Sequence, residues 1–201
     1  MKRSALIYTA IAAIAIIAVG LIALRDPATP TPASRLDHAM LDGLREGDMK
    51  KLAFHAAPKP AGTTAYVTED GGEATLADHK GRYVLVNFWA TWCAPCRKEM
   101  PSLSRLQAEK GGADFEVLTL ASGKNNPAKI KQFLNEIEVD NLPMHRDPAG
   151  KLAREMGVMG MPVTVLLDPE GQEIARLIGD AEWDSEAAKA IIDALTSTPQ
   201  G

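Results

Sequence analysis

The sequence predicts an α/β domain, a mixed β-sheet flanked by helices, carried behind an N-terminal transmembrane helix. Three observations lead there. Strand-like and helix-like apolar patterns alternate along most of the chain, which favours a sheet covered by helices on both faces. The run Tyr83-Val-Leu-Val-Asn-Phe-Trp89 is short and almost continuously apolar, as for a strand buried on both sides. Twenty residues from Ala5 to Leu24 carry no charge.

As a helix that N-terminal segment rises roughly 30 Å, the thickness of a bilayer core. Lys2 and Arg3 precede it, while Arg25 and Asp26 cancel on the far side. The positive-inside rule therefore keeps the N-terminus in the cytoplasm and exports the chain beyond Leu24. A cleaved signal peptide is the competing reading, but its apolar region usually runs only about 7–15 residues and ends at a small-x-small site. No cysteine stands near the segment's end, so lipid attachment there is excluded. The chain divides into an anchor at 1–25, a proline-rich linker at 26–34, a helical extension at 35–57 and the main domain at 58–201.

The linker holds three prolines among Ala and Thr and cannot bury a core. Leu36, Met40, Leu41 and Leu44 then recur at helical spacing behind a Ser34 cap. Tyr66–Thr68 and Gly71–Leu76 flank an Asp70-Gly71 turn and read as a small hairpin. After Tyr83–Trp89, Met100, Leu103 and Leu106 mark a helix that Pro101 should kink. Phe115–Leu120 reads as a strand. Ile130, Phe133, Leu134 and Ile137 mark an amphipathic helix capped by Asn126 with Pro127 in its first position. The same punctuation at Asp147-Pro148 opens a helix carrying Leu152, Ala153 and Met156, with a stop at Gly157. Val163–Leu167 and Glu173–Ile178, joined by Asp168-Pro169-Glu170-Gly171, are antiparallel strands. Ala187, Ala188, Ile191, Ile192 and Leu195 close the chain with a helix.

With 201 residues, 46% of them hydrophobic, there is material for one buried core plus an appendage. The net charge of -4 and the absence of a Lys/Arg cluster exclude a nucleic-acid footprint. Only two cysteines occur, Cys93 and Cys96, in a chain sent to an oxidising compartment. A two-residue gap staples nothing, so the pair is best explained by reactivity.

The pair lies between a buried strand and a helix start, in Trp89-Ala-Thr-Trp92-Cys93-Ala-Pro95-Cys96. A thiolate at a helix N-terminus is favoured by unpaired backbone N–H groups and the macrodipole, so Cys93 is the expected nucleophile. Cys96, a turn further on, is placed to resolve the mixed disulfide. Pro95 fixes a backbone angle in the first turn, where its missing donor costs little.

The segment Val86-Asn-Phe-Trp-Ala-Thr-Trp-Cys-Ala-Pro-Cys-Arg-Lys-Glu-Met-Pro101 resembles the active site of the thioredoxin superfamily and is similar to its anchored TlpA/ResA branch. The similarity runs over roughly 58–196 and includes Gly157-Val-Met-Gly-Met161-Pro162. The resemblance implies a thioredoxin-like fold with an added strand-helix segment between about 115 and 146. It implies a cis Met161–Pro162 bond facing the cysteines, with the Met161 backbone able to pair with an extended substrate. Asn87 stands where thioredoxin has a buried acid, and Glu99 stands where the ResA-like branch has its glutamate. As i and i+3 on a helix, Cys96 and Glu99 share a face, so Glu99 is the candidate acid-base group. Trp92, beside the nucleophile, is a candidate for partner contact.

The function so implied is thiol-disulfide exchange with exported protein thiols or disulfides. The resemblance favours a reductase, and with the N-terminal segment the expectation is a monomer at the bacterial inner membrane, with one membrane pass and its catalytic domain in the periplasm. Such a protein serves cytochrome c or cytochrome oxidase biogenesis and is recharged by a transmembrane thiol carrier. No diffusible cofactor is needed, because the electrons reside in the cysteines. Zinc would require two further ligands, and His38, His55, His79 and His145 are scattered. Met156, Met159 and Met161 read as packing or a forgiving contact surface rather than a soft-metal site. A thioredoxin-fold peroxidase would need a Thr and Arg arrangement that is not evident around Cys93. A copper-binding assembly factor of the Sco type carries Cys-X-X-X-Cys and a distant histidine, one residue more than here. Copper titration of the reduced protein is therefore expected to show no stoichiometric binding.

Overall fold

The computed structural model describes residues 38–197. A short helix α1 (His38–Gly43) and a 3-10 turn (Gly47–Lys51) lead into strand β1 (Ala53–Pro60), a hairpin of β2 (Tyr66–Val67) and β3 (Glu73–Ala74), and a second 3-10 turn (Leu76–His79). Next come β4 (Tyr83–Trp89), α2 (Ala94–Lys110), β5 (Phe115–Ser122), α3 (Pro127–Glu136), β6 (His145–Asp147), α4 (Lys151–Glu155), β7 (Val163–Leu167), β8 (Gln172–Ile178) and α5 (Glu186–Thr196). The strands form one mixed sheet in the order β1-β8-β7-β4-β5-β6-β2-β3.

Strand β4 lies at its centre, parallel to β5 and antiparallel to β7. All seven of its residues are buried, as the apolar run requires. Because side chains alternate across a strand, Val84, Val86 and Phe88 enter a core with Tyr66, Leu76, Leu152 and Val165. Asn87 and Trp89 face the other layer, where Asn87 meets Glu99 of α2 and Trp89 lies 4.9 Å from the Phe133 ring of α3. Each such buried apolar side chain contributes about 1.5–3 kcal/mol relative to exposure.

The structure corrects several expectations. Within the extension over 35–57, the described residues are helical at His38–Gly43 and form a 3-10 turn at Gly47–Lys51, but no further. From Ala53 the chain is strand, so a boundary at 57 falls inside β1. This edge strand is mostly exposed and carries Pro58 and Pro60, which removes both the alternation and the propensity that mark a strand. Strand β6, three polar residues, has no strand pattern of its own; its pairing with β5 and β2 makes it a strand. Asp147-Pro148 does not open α4 directly. The N-cap is Gly150 with φ 61, and Asp147 caps from the end of β6, its carboxylate accepting from the backbone N–H of Lys151 and Ala153 at 2.9 Å each. The helix ends as expected, with Gly157 left-handed and Val158 N–H bonded to Ala153 O. Asn126 caps α3, and α2 continues past Pro101 to Lys110.

Among the described residues no helix is long and apolar enough to cross a membrane. The expected span at Ala5–Leu24 and the linker at 26–34 lie outside them.

Asp147→Ala leaves two N–H groups at the start of α4 without their acceptor. It is expected to cost about 1–3 kcal/mol, read as a lower urea midpoint at unchanged slope.

Candidate active site

The buried β4 delivers the chain to a short loop, Ala90–Trp92, and then to α2. Cys93 is the N-cap of that helix, and its Sγ accepts a hydrogen bond from the Cys96 N–H at 3.2 Å. Pro95 lies in the first turn. The two cysteines are joined as a disulfide with their Cα atoms 5.3 Å apart. Cys93 is 5% exposed and Cys96 fully buried, so the sulfur a partner can reach is that of Cys93. Once reduced, a Cys93 thiolate would sit among unpaired helix N–H groups, the setting that favours its charge.

The loop before Cys93 is pinned from the β5–α3 connection. Asn125 Oδ1 accepts from the Thr91 N–H at 2.9 Å and from the Thr91 hydroxyl at 3.0 Å, while its Nδ2 donates to Ser122 O. On α2, Arg97 stacks 4.4 Å over the Phe133 ring and pairs with Glu136.

Glu99, one turn beyond Cys96, is 1% exposed. Its Oε1 accepts from Asn87 Nδ2 at 2.9 Å and its Oε2 from the Trp183 indole N–H at 3.1 Å. Asn87 Nδ2 also donates to Thr164 Oγ1 at 2.9 Å, across the β4–β7 pair. Burial pushes the Glu99 carboxyl up to about 7, against the hydrogen bonds that favour its charged form. It is therefore poised to exchange a proton near neutrality.

The Met161–Pro162 bond is cis. Pro162 is buried, Met161 is half-buried, and the next strand, β7, pairs Val163 with Phe88 of β4. This brings the turn before β7 to the end of β4 from which the cysteine loop leaves. Trp92 is 69% exposed and Met159 96% exposed, whereas Met156 is buried and accepts the Gly62 N–H on its sulfur. The four histidines stay apart from the disulfide in the contacts they make: His38 meets Phe54 edge-on, His55 pairs with Glu173, His79 with Tyr66 and Glu116, and His145 accepts from Glu69 N–H. Among the described residues no cluster of three or more His, Cys, Asp or Glu could hold a metal. Asn125, Thr164 and Trp183 join the site without having been marked by any motif. The one available signal is an isolated Trp in the charged stretch Asp180-Ala-Glu-Trp-Asp184 just before a helix.

The sequence signature of the Redoxin family matches residues 55–192. The thiol:disulfide interchange protein DsbE of Pseudomonas aeruginosa is 34% identical over 139 residues, covering 68% of this chain and 74% of that protein. The thiol-disulfide oxidoreductase ResA of Bacillus thuringiensis is 32% identical over 111 residues, 55% of this chain, which spans 63% of that relative's length. A crystal structure of a DsbE-type thiol:disulfide interchange protein from Chlorobium tepidum superposes with a TM-score of 0.61 at 29% identity, covering 69% of this chain and 96% of that one.

The Glu99 carboxyl makes stability depend on pH. Its folded-state value of about 7 lies above the ordinary 4.5, so the folded protein holds a proton that the unfolded chain releases between those values. The Glu99 contribution to stability is full below about pH 4.5 and is lost as pH rises toward 7, by about 3 kcal/mol in total. Measured by denaturation between pH 4 and 8, the stability of the oxidised protein relative to Glu99→Gln should show this fall, since the opposing contributions of the depressed carboxyls and of His145 are common to both.

Proposed function

Because the chain belongs to the Redoxin family, among thiol:disulfide interchange proteins of thioredoxin fold, we propose that it exchanges electrons with exported proteins through Cys93 and Cys96. The observation that carries this reading is the Cys93–Cys96 disulfide at the N-terminus of α2, with its accessible sulfur capping the helix and a buried carboxyl one turn along. In the reducing direction the Cys93 thiolate attacks a substrate disulfide, forming a mixed disulfide and releasing one substrate sulfur as a thiolate. Cys96 then gives up its proton to the Glu99 carboxylate and attacks Cys93. The mixed disulfide breaks, the second substrate sulfur leaves, and two electrons have passed to the substrate. Glu99, with a carboxyl that titrates near 7, can return the proton when the pair is next reduced.

Trp92, Met161 and Pro162 form the substrate contact in this reading. The exposure of Trp92 and the half-exposed Met161 beside the cis bond support it. The reductase direction, a role in cytochrome c or cytochrome oxidase biogenesis, and recharging by a transmembrane thiol carrier rest on the TlpA/ResA resemblance. An uncleaved inner-membrane anchor with a periplasmic domain rests on the uncharged run Ala5–Leu24 and the flanking charges.

Trapping tests the assignment. Cys96→Ser expressed in place of the native chain should accumulate mixed disulfides through Cys93, resolvable by mass spectrometry after non-reducing electrophoresis. Cys93→Ser should trap nothing; equal trapping by both variants, or none by Cys96→Ser, would overturn the roles given to the two sulfurs.

A further inference from the structure

The segment between β8 and α5 lies along α2 as a strap. Asp180 Oδ2 accepts from Lys98 Nζ at 2.9 Å, the Trp183 N–H donates to Ser102 Oγ at 3.0 Å, and Asp184 pairs with Arg105. Lys98, Ser102 and Arg105 are spaced four and three residues apart, one face of the helix. From the other side the 3-10 turn holds the strap down: Lys51 Nζ donates to Asp180 O at 2.6 Å, and the Glu182 N–H donates to Asp48 Oδ2 at 3.2 Å. Trp183, 2% exposed, is buried at the strap's middle, as is Ala181. Its ring is bound at the far end as well, the indole N–H donating to Glu99 Oε2.

A buried carboxyl whose two oxygens each receive a donor from a different element is held in one orientation, and those donors favour its charged form. Asn87 supplies one donor from β4. We propose that Trp183 is a positioning residue for the redox site: the strap presses its indole N–H onto Glu99, closing with Asn87, and beside the Ala181 backbone N–H of the same strap, a clamp that orients the carboxyl and sets its proton affinity. The inference rests on Glu99 being the acid-base group of the Cys93/Cys96 pair. The donors around that carboxyl, Asn87, Trp183 and the Ala181 backbone N–H, are uncharged, and the charged group whose field reaches it is Asp180, itself paired with Lys98. Removing the indole N–H thus takes away a donor without altering a neighbouring charge.

The test uses the full chain in detergent micelles with the disulfide closed, so that neither cysteine titrates. In the native protein labelled with 15N-tryptophan, the Trp183 indole resonance should shift with pH at the midpoint of the Glu99 carboxyl, followed by 13C and assigned by its loss in Glu99→Gln. The same Glu99→Gln change should abolish the indole shift. Trp183→Phe keeps a ring in place but lacks the donor, and should raise the Glu99 midpoint by about one pH unit or more. An indole resonance that does not follow the carboxyl, or an unmoved midpoint in Trp183→Phe, would overturn the clamp. Should Trp183→Phe fail to fold, the titration of the native protein still decides. Exchange rates of Glu99→Gln decide the separate question of proton transfer: a native rate would remove Glu99 from the chemistry while leaving the clamp to be judged by its titration.

Discussion

Strand β4 has no residue in water, and the redox site depends on how such a strand ends. A strand paired on both edges and covered on both faces is held as firmly as any part of the sheet, so its last residue is fixed in space. The chain must then turn at once into α2, and Cys93 falls at the N-cap. Its sulfur accepts the Cys96 N–H, a role that ordinarily falls to a Ser, Thr, Asp or Asn side chain. The helix start gains its cap and the sulfur gains a setting that favours negative charge. The Thr91–Asn125 bonds fix the short path between strand and helix, so the sulfur's position follows from backbone already committed by the sheet.

The second consequence lies beneath the disulfide, where the core is polar. Asn87, Thr164 and Glu99 are all buried, and burial of a carboxyl is costly unless it is neutral or well supplied with donors. Here both conditions are half met. Two side-chain donors reach the carboxyl, yet they do not cancel the burial, and the group comes to rest about midway in its titration at neutral pH. A fully compensated carboxylate would hold its charge and exchange no proton; an uncompensated one would stay protonated. The proton exchange proposed for Glu99 requires the balance, and the stability that ionisation removes as pH rises is its cost.

Much of this was legible in the chain, for identifiable reasons. Tyr83–Trp89 announced itself because a strand buried on both faces needs an apolar run, and Asn126-Pro127 because caps are chemical signatures. The cysteine spacing and Met161-Pro162 carried the resemblance that located Glu99. What the sequence concealed were contacts made by elements remote in the chain. Strand β1 is defined by its pairing with β8, and β6 by its pairing with β5 and β2, not by their own residues. Asp147 caps α4 across an intervening turn. Trp183 reaches Glu99 from 84 positions away, through a strap held by ion pairs that no local pattern encodes.

Asn87 is the residue that ties these points together. Its Nδ2 lies 2.9 Å from Glu99 Oε1, at the centre of the sheet. An aspartate at that place would put a second carboxyl against the first, and like charges at hydrogen-bond distance cannot both ionise. One proton would be shared between the two, and the titration near neutrality would belong to neither. The amide instead supplies a donor and no charge, so a single group titrates beneath the disulfide. The acid therefore stands not on the strand but on the helix, where it lies one turn from Cys96 and is bonded by the strap. The proton affinity of the site is thereby coupled to the segment between β8 and α5, which an acid on β4 alone would not require.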